Sequence, residues 1–407
     1  MTGKSAETML TRLFSQGFRV FFLMACVFAV LVMVIWEIWL AVRAAGGMID
    51  LAPAIAPHLW HGHEMIFGYG AAVLAGFFLT AVPNWTGGKS APQRFIAAVF
   101  LLWLAGRLAF WFSASLPPAV VMLADLAFLP ALGAKIAAQL MARPKPQQMV
   151  FLLALTFLWL ANLLCHLEWI GILRDGVAPG LRAGLATLVA MILILGGRVT
   201  PGFTRNAMVA TGRESGLPRN PGPLAIATTV PAMALAPAIL LGLPEPVSGL
   251  LCLLAGAGAL LRVALWQGWW TLTRPILWTL HLSYALAGLG LIVLGLAWMG
   301  IGSEMAALHL LAVGSVGGMT LAMLSRASLG HSGRPLHAPA PLAIAYGLVP
   351  LAALARFAAS AVPQVYFPAS LLAGGLWIAA FTLALASLWP AFLMPRPPRR
   401  PVGDPPA

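Results

Sequence analysis

Residues 18–42 read FRVFFLMACVFAVLVMVIWEIWLAV, and the charged side chains in this run are Arg19 and Glu37. The run is longer than the roughly 20 residues that an α-helix needs to cross the hydrocarbon core of a bilayer. No small-residue cleavage site follows it, because Trp36-Glu37-Ile38-Trp39 occupies that region. We therefore predict a retained membrane helix rather than a signal peptide.

Comparable runs recur along the whole chain. Of its 407 residues, 61% are hydrophobic and 9% are charged, whereas a soluble domain has about 25% charged residues. The predicted spans are 18–42, 61–83, 94–113, 117–140, 149–170, 181–199, 222–242, 247–267, 275–299, 304–324, 340–361 and 366–393. The sequence thus predicts an all-α integral membrane protein of about twelve helices. It forms one polytopic domain at 18–393, after a cytoplasmic segment at 1–17 and before a Pro/Arg-rich cytoplasmic tail at 394–407.

The basic residues indicate orientation in the membrane rather than a nucleic-acid partner. The net charge is +13, but the Lys and Arg residues stand singly in short loops and form no patch. If the N-terminus is cytoplasmic, the outer loops hold Arg43, Arg174 and Arg182, and the inner loops hold most of the others. We therefore expect both termini on the cytoplasmic side of a bacterial inner membrane, with lipid as the main partner and no nucleic acid.

The cysteines indicate no disulfide or zinc framework. Cys26, Cys165 and Cys252 all lie in apolar runs, without a CxxC or Cys/His spacing. No CxxCH motif for covalent haem attachment occurs either. Any bound haem is therefore expected to be non-covalent.

Histidines cluster at one predicted depth, on the outer side of three helices. The residues at this depth are His58, His61 and His63 at the start of the second span, His166 at the end of the fifth and His309 at the start of the tenth. Imidazole is the commonest metal ligand and also an axial ligand of haem. The clustering therefore predicts a metal or haem site, with His281, in the inner half of the ninth span, as a further candidate beside His166.

The spacing of the histidines in the second span predicts that their side chains point to two different sides of the helix. His58 and His61 share a helix face, whereas His63 points elsewhere, and Glu64 can orient an imidazole or accept a proton.

Arg107 and Asp125, in the third and fourth spans, are expected to form an ion pair, because unpaired charges inside a bilayer are costly.

Three predicted inner loops are similar in kind, at 80–87, 196–205 and 325–334. Each follows the second helix of a unit of four, which suggests three four-helix units. Arg198 and Arg326 in these loops are candidates for binding an anion such as a haem propionate. Ordinary cytoplasmic turns that follow the positive-inside rule explain the same residues equally well.

The segments LWHGHEMIFG at 59–68 and GFFLTAVPNWTG at 76–87 resemble the NnrS family. Gly197-Arg198-Val199 with Pro201, and the stretch from Leu308-His309-Leu310 to Gly333-Arg334, carry the same resemblance. It implies a haem- and copper-containing membrane protein linked to nitric oxide metabolism and nitrosative-stress resistance. It does not imply a particular set of ligands.

Twelve helices in three units are also similar to the catalytic subunit of haem-copper oxidases. There, outer-side histidines of the second and tenth helices bind a low-spin haem, which implies haem b between His309 and either His61 or His63 here. The adjacent His-His copper pair of those enzymes is missing. Candidate ligands of a metal ion are His61, His63, His166, His281 and His309.

A different class of function is also open. Twelve spans are common among secondary transporters, in which the outer histidines and Glu64 would relay protons. The sequence does not decide between these functions, and it does not establish that the protein is an enzyme.

Overall fold

The computed structural model describes residues 8–144 and 146–398. Within them, twelve helices are long and apolar enough to cross a membrane, and no β-strand occurs. The predicted all-α, multi-span class is therefore confirmed. The orientation of the termini stays a prediction. Residues 1–7 and 399–407 of the predicted terminal segments lie outside the described residues.

The twelve long helices follow the predicted order. They are α1 (Gly17–Ala44), α2 (Pro57–Thr86), α3 (Gln93–Trp111), α4 (Pro118–Ala142), α5 (Gln147–Trp169), α6 (Val177–Ala210), α7 (Gly222–Leu240), α8 (Glu245–Ala264), α9 (Pro275–Ala297), α10 (Glu304–His331), α11 (Ala340–Ala361) and α12 (Pro363–Leu393). A short helix, Met9–Leu13, precedes α1.

Proline and glycine set many of the helix ends. Pro57, Pro118 and Pro275 occupy the first turn of α2, α4 and α9, where a missing N–H costs nothing and the fixed φ suits a helix. Gly87 follows α2 with a φ of +63°. This left-handed conformation closes the helix and is readily adopted by glycine.

The three similar inner segments are mostly helical, which corrects the prediction of loops. Helix α2 continues to Thr86, α6 to Ala210 and α10 to His331. Pro201 lies inside α6, and Pro83 lies inside α2. Polar side chains replace the backbone hydrogen bond that Pro201 removes, since Arg262 Nη2 and Asn220 Nδ2 donate to the carbonyl of Gly197 at 2.7 and 2.9 Å. Side chains of this kind let a membrane helix continue through proline.

The centre of the fold is formed by three helices, α2, α6 and α10, which follow one another in the chain at every fourth helix. Helices α2, α6 and α10 contact one another, and α12 packs on α1 to close the bundle. More of α2, α6 and α10 is buried than of α3, α4, α7 and α11. The peripheral helices expose apolar side chains such as Leu101, Leu254 and Leu354, as expected of surfaces that contact lipid. The division into three four-helix units stays a prediction.

Glycines let α8 and α9 pack closely. A Cβ on Gly256 would lie 2.6 Å from the carbonyl oxygen of Gly288. We therefore expect Gly256→Leu to lower the free energy of unfolding in detergent by about 1–3 kcal/mol, because overpacking forces the backbones apart. The matched control is Gly133→Leu, since a Cβ there meets nothing within 4 Å. Equal melting temperatures for the two variants would contradict this account of the interface.

Candidate functional site

Helix α2 changes its winding directly after its last histidine. Residues Glu64–Gly70 form a π-helical segment inside α2, and Leu310–Gly317 form another inside α10, directly after His309. Such segments are rare and occur frequently at functional sites, because they turn the side chains on either side out of the regular register. The two helices that carry most candidate ligands therefore share an uncommon local geometry.

His63 lies in a buried polar cluster formed by four helices. We use this name for His63 and Glu64 of α2, Arg107 of α3, Asp125 of α4, and Asn162 and His166 of α5. The Oδ2 atom of Asp125 lies 2.8 Å from Nε2 of His166 and 3.3 Å from Nε2 of His63. One ligand atom from each of these three residues lies within 4.8 Å of the others. Two imidazole nitrogens and a carboxylate oxygen are a donor set that fits a transition-metal ion.

The remaining members hold these donors in place. Glu64 Oε1 lies 3.1 Å from Nδ1 of His63, and Asn162 Oδ1 lies 2.8 Å from Nε2 of the same ring. Asn162 Nδ2 donates to Asp125 Oδ2 at 3.0 Å, and Arg107 forms ion pairs with both Glu64 and Asp125. Carboxylates that orient ligating histidines are a common feature of metal sites.

Aromatic side chains enclose the cluster. Phe110 stacks on His63 with ring centroids 4.2 Å apart, and Trp169 packs edge-on against both His63 and His166. Every ionisable member is at most 6% exposed. The cluster is therefore shielded from water, which strengthens each electrostatic interaction within it.

The predicted ion pair between Arg107 and Asp125 is confirmed. Sequence reasoning nevertheless missed Asp125 as a candidate metal ligand, because the ion pair alone accounted for its charge. The position of this aspartate one span before His166 was the available signal. Asn162 carried no signal, since an amide in an apolar helix is not by itself unusual.

His61 lies on another side of α2 and belongs to a second site. Its ring stacks on Trp36 of α1 with centroids 4.6 Å apart, and it lies within electrostatic range of His309 of α10. Both imidazoles also interact with Arg356 of α11. The structure therefore separates His61 from His63, as their spacing predicts, and directs His61 toward the side of α2 on which His309 lies.

Each imidazole of this second pair has a nitrogen open to a ligand. Nδ1 of His61 is buried and has no hydrogen-bond partner among the described residues. Nδ1 of His309 lies 2.8 Å from the carbonyl oxygen of Met305, so this nitrogen carries the hydrogen and Nε2 is left with its lone pair. Imidazole nitrogens of this kind are of the type that ligates haem iron.

The other sequence candidates lie elsewhere. His281 Nε2 lies 2.8 Å from the hydroxyl of Thr204, so it does not join His166 as predicted, because α9 brings it against α6. Arg198 is exposed, and Arg326 lies over the ring of Phe203. Arg326 follows His309 by about 26 Å along α10 at 1.5 Å per residue. One haem cannot contact both, which corrects the assignment of Arg326 to the propionates of a haem bound by His309.

A cavity of about 60 Å³ lies between α1, α2, α6 and α10. Gly70 and Val316, from the two π-helical segments, line it together with Leu188, Met191 and Met319. No ionisable side chain contributes to its wall. Apolar space of this size can hold a small uncharged molecule.

The fold and the site define an integral membrane protein with a buried His/Asp cluster that could hold a metal ion. A comparison with protein families matches residues 12–396 to the family described as NnrS protein. The chain therefore belongs to the NnrS family. A search of curated proteins found no match.

Proposed function

We propose that this protein is a haem- and copper-binding membrane protein of nitric oxide metabolism. The observation that carries the proposal is the convergence of His63, Asp125 and His166 inside the bundle. Ionisable groups inside a membrane are costly and mark functional sites. These three groups already share ion pairs and hydrogen bonds with Arg107, Glu64 and Asn162, and a metal ion would give their donor atoms one common partner.

Copper is the metal proposed for the buried polar cluster. Imidazole donors suit copper, zinc, iron and nickel better than they suit magnesium or calcium. The resemblance of the sequence to the NnrS family implies copper in particular. Within the cluster, Glu64 orients the ring of His63 through Nδ1, and Arg107 neutralises part of the charge of the carboxylates.

Haem b is proposed for the second site, with His61 and His309 as its axial ligands. The unpartnered Nδ1 of His61 and the backbone-bonded Nδ1 of His309 support this assignment. Arg356 lies near both rings and is the proposed partner of a propionate, in place of Arg326. Haem iron and copper both bind nitric oxide, which is the chemistry that these groups would supply.

The apolar cavity supports a small uncharged ligand. Nitric oxide is a diatomic molecule without charge, so a cavity walled by Leu188, Val316 and Met319 suits it better than it suits an ion. The cavity borders both π-helical segments, which in turn begin beside the candidate haem and metal ligands.

The test is to purify the protein in mild detergent after growth with haem and copper, and to record oxidised and dithionite-reduced spectra with metal analysis. We expect His309→Ala to lose the sharp reduced bands of haem b and to keep copper. His166→Ala should lose copper and keep the haem bands, because the two sites are separate. His337→Ala, at an exposed position, is the matched control and should change neither.

A folded wild-type protein without colour and without metal would contradict the proposal. That result would favour the proton-coupled transporter, in which protons would occupy the buried polar cluster. Loss of both cofactors in both variants, with the helical content unchanged, would contradict the assignment of two separate sites.

A further inference from the structure

Two arginines from the start of the chain bind the carbonyl oxygens at the end of α12. Arg12, in the short helix Met9–Leu13, donates from Nη1 to the carbonyl of Leu393 at 2.9 Å. Arg19 donates from Nη1 to the carbonyl of Phe392 at 2.7 Å. The last carbonyls of a helix have no donors within the helix, and a cation beside them is favourable. These two arginines therefore cap α12.

Arg334, in the segment after α10, reaches the same end of α12, but its hydrogen bonds there are incomplete. Its Nη2 lies 3.5 Å from the carbonyl oxygen of Pro395, which is long for a hydrogen bond. Its Nη1 is buried and has no hydrogen-bond partner among the described residues. A guanidinium has five N–H donors, and a buried donor without a partner is costly. The position of Nη1 therefore favours an acceptor from outside the described chain.

Two more basic side chains lie close to Arg334, without a carboxylate to balance them. Arg396 packs against Gly333, since a Cβ there would lie 2.5 Å from its Nε, and His331 is within electrostatic range of Arg396. Residues 8–19, 326–340 and 385–398, which meet at this end of the fold, contain no Asp or Glu. The positive charge therefore favours an anion that the protein itself does not supply here. We use the name α12 basic cluster for Arg12, Arg19, His331, Arg334 and Arg396.

Exposed apolar side chains lie at the same end of the fold. Met394 and Leu336, which are near the arginines of the cluster in the chain, are each about half exposed. Met9 and Leu10 are exposed on the short helix that precedes α1. Trp389, in the last turns of α12, is also about half exposed, and tryptophan is enriched where a membrane meets water. An occupant with both an anionic and an apolar part therefore suits this surface better than a soluble anion.

From these observations we infer that the α12 basic cluster binds the phosphate group of an anionic phospholipid. Arg334 Nη1 supplies the main donor, since a guanidinium matches the oxygens of a phosphate with parallel hydrogen bonds. Arg396 adds a second positive charge beside it. Basic pockets between membrane helices bind anionic lipid headgroups in this way. The acyl chains of the lipid extend along exposed apolar side chains such as Met394 and Leu336.

The charge of the cluster also distinguishes anionic from zwitterionic lipids. A zwitterionic headgroup has a cationic amine besides its phosphate, and the segments that form the cluster offer it no carboxylate. The cations of the cluster therefore repel this amine, whereas they attract a headgroup whose only charge is the phosphate. The inference is independent of the proposed haem and metal sites, because no residue of the α12 basic cluster belongs to either site.

The experiment is native mass spectrometry of the detergent-purified full chain, delipidated and then titrated with phosphatidylglycerol or phosphatidylcholine of the same acyl chains. We expect one phosphatidylglycerol per chain to bind about tenfold more tightly than phosphatidylcholine, as for a charge-assisted hydrogen bond gained. An excess of inorganic phosphate should not displace it, because free phosphate gains nothing from the apolar side chains.

Arg334→Gln removes the unsatisfied donor and one positive charge. We expect it to weaken the binding of phosphatidylglycerol by about tenfold or more. Arg205→Gln, at an exposed position of α6, is the matched control, since it removes the same charge outside the cluster and should leave this binding unchanged. Arg396→Gln, also at an exposed position, is the second test if Arg334→Gln fails to fold, and it should weaken binding in the same direction.

Three outcomes would overturn the inference. Equal affinities of the wild type for phosphatidylglycerol and phosphatidylcholine would show that the cluster does not select an anionic headgroup. Equal losses in Arg334→Gln and Arg205→Gln would show that overall charge, and not this cluster, attracts the lipid. Displacement of phosphatidylglycerol by inorganic phosphate would show that the cluster is a site for a soluble anion.

Discussion

Arg107→Leu is expected to lower the free energy of unfolding by about 3–5 kcal/mol, the cost of breaking a buried ion pair by removing one partner. The substitution leaves Glu64 and Asp125 buried without their cation, since both pair with this guanidinium. The measurement is thermal or denaturant unfolding in detergent, followed by circular dichroism.

Arg182→Leu is the matched control for this prediction. Arg182 pairs with Glu304 at 2.6 Å, but about a third of its side chain is exposed. Exposed pairs contribute roughly 0–1 kcal/mol, because water screens the charges. A melting temperature of Arg107→Leu equal to that of Arg182→Leu would show that the two carboxylates are not held as a charged network.

Arg262→Leu is expected to lower the free energy of unfolding by about 3 kcal/mol, since hydrogen bonds from a charged group contribute roughly 1.5–3 kcal/mol each. Pro201 has no N–H, so the carbonyl of Gly197 lacks its usual helical donor. Arg262 Nη2 donates to that carbonyl at 2.7 Å, and Nη1 donates to the hydroxyl of Tyr284 at 2.7 Å. In Arg262→Leu the Gly197 carbonyl keeps the hydrogen bond from Asn220 Nδ2 at 2.9 Å, whereas it loses its charged donor. The arginine is 1% exposed, so water cannot take the place of its guanidinium.

A double-mutant cycle tests this explanation. In Pro201→Ala the Gly197 carbonyl regains a backbone donor, so Arg262→Leu should cost less, with a coupling energy of about 0.5–3 kcal/mol. Arg205→Leu, at an exposed position of α6, should cost little in either background. Equal costs of Arg262→Leu in both backgrounds would mean that the arginine does not compensate for the proline.

The sequence predicted the presence of each helix but not where each helix ends. The predicted span 181–199 is Val177–Ala210 in the structure, because Pro201 and Gly202 indicate a turn in a soluble protein but not inside a membrane bundle. There, Arg262 and Asn220 supply the missing donor to Gly197. Both partners come from distant parts of the chain, so no local pattern could have indicated them.

The sequence indicated some of the residues of the candidate site but not how they are grouped. His61, His63, His166 and His309 stand out, because polar residues are few in a chain with 9% charged residues. The sequence also predicts an ion pair between Asp125 and Arg107, because unpaired charges inside a bilayer are costly. Their convergence on His63 and His166, and the separation of His61 from His63, depend on how α2 is rotated against α5 and α10.

The sequence by itself determined that the chain is an all-α membrane protein of twelve spans, because hydrocarbon admits only long apolar runs whose backbone groups bond within the helix. It also determined membership of the NnrS family, which the motifs around His61 indicate and the match over residues 12–396 confirms. The tertiary structure alone decided which polar groups meet. Contacts between helices depend on rotation and packing, which hydropathy does not encode, so the joining of His63, Asp125 and His166 became visible only in the folded bundle.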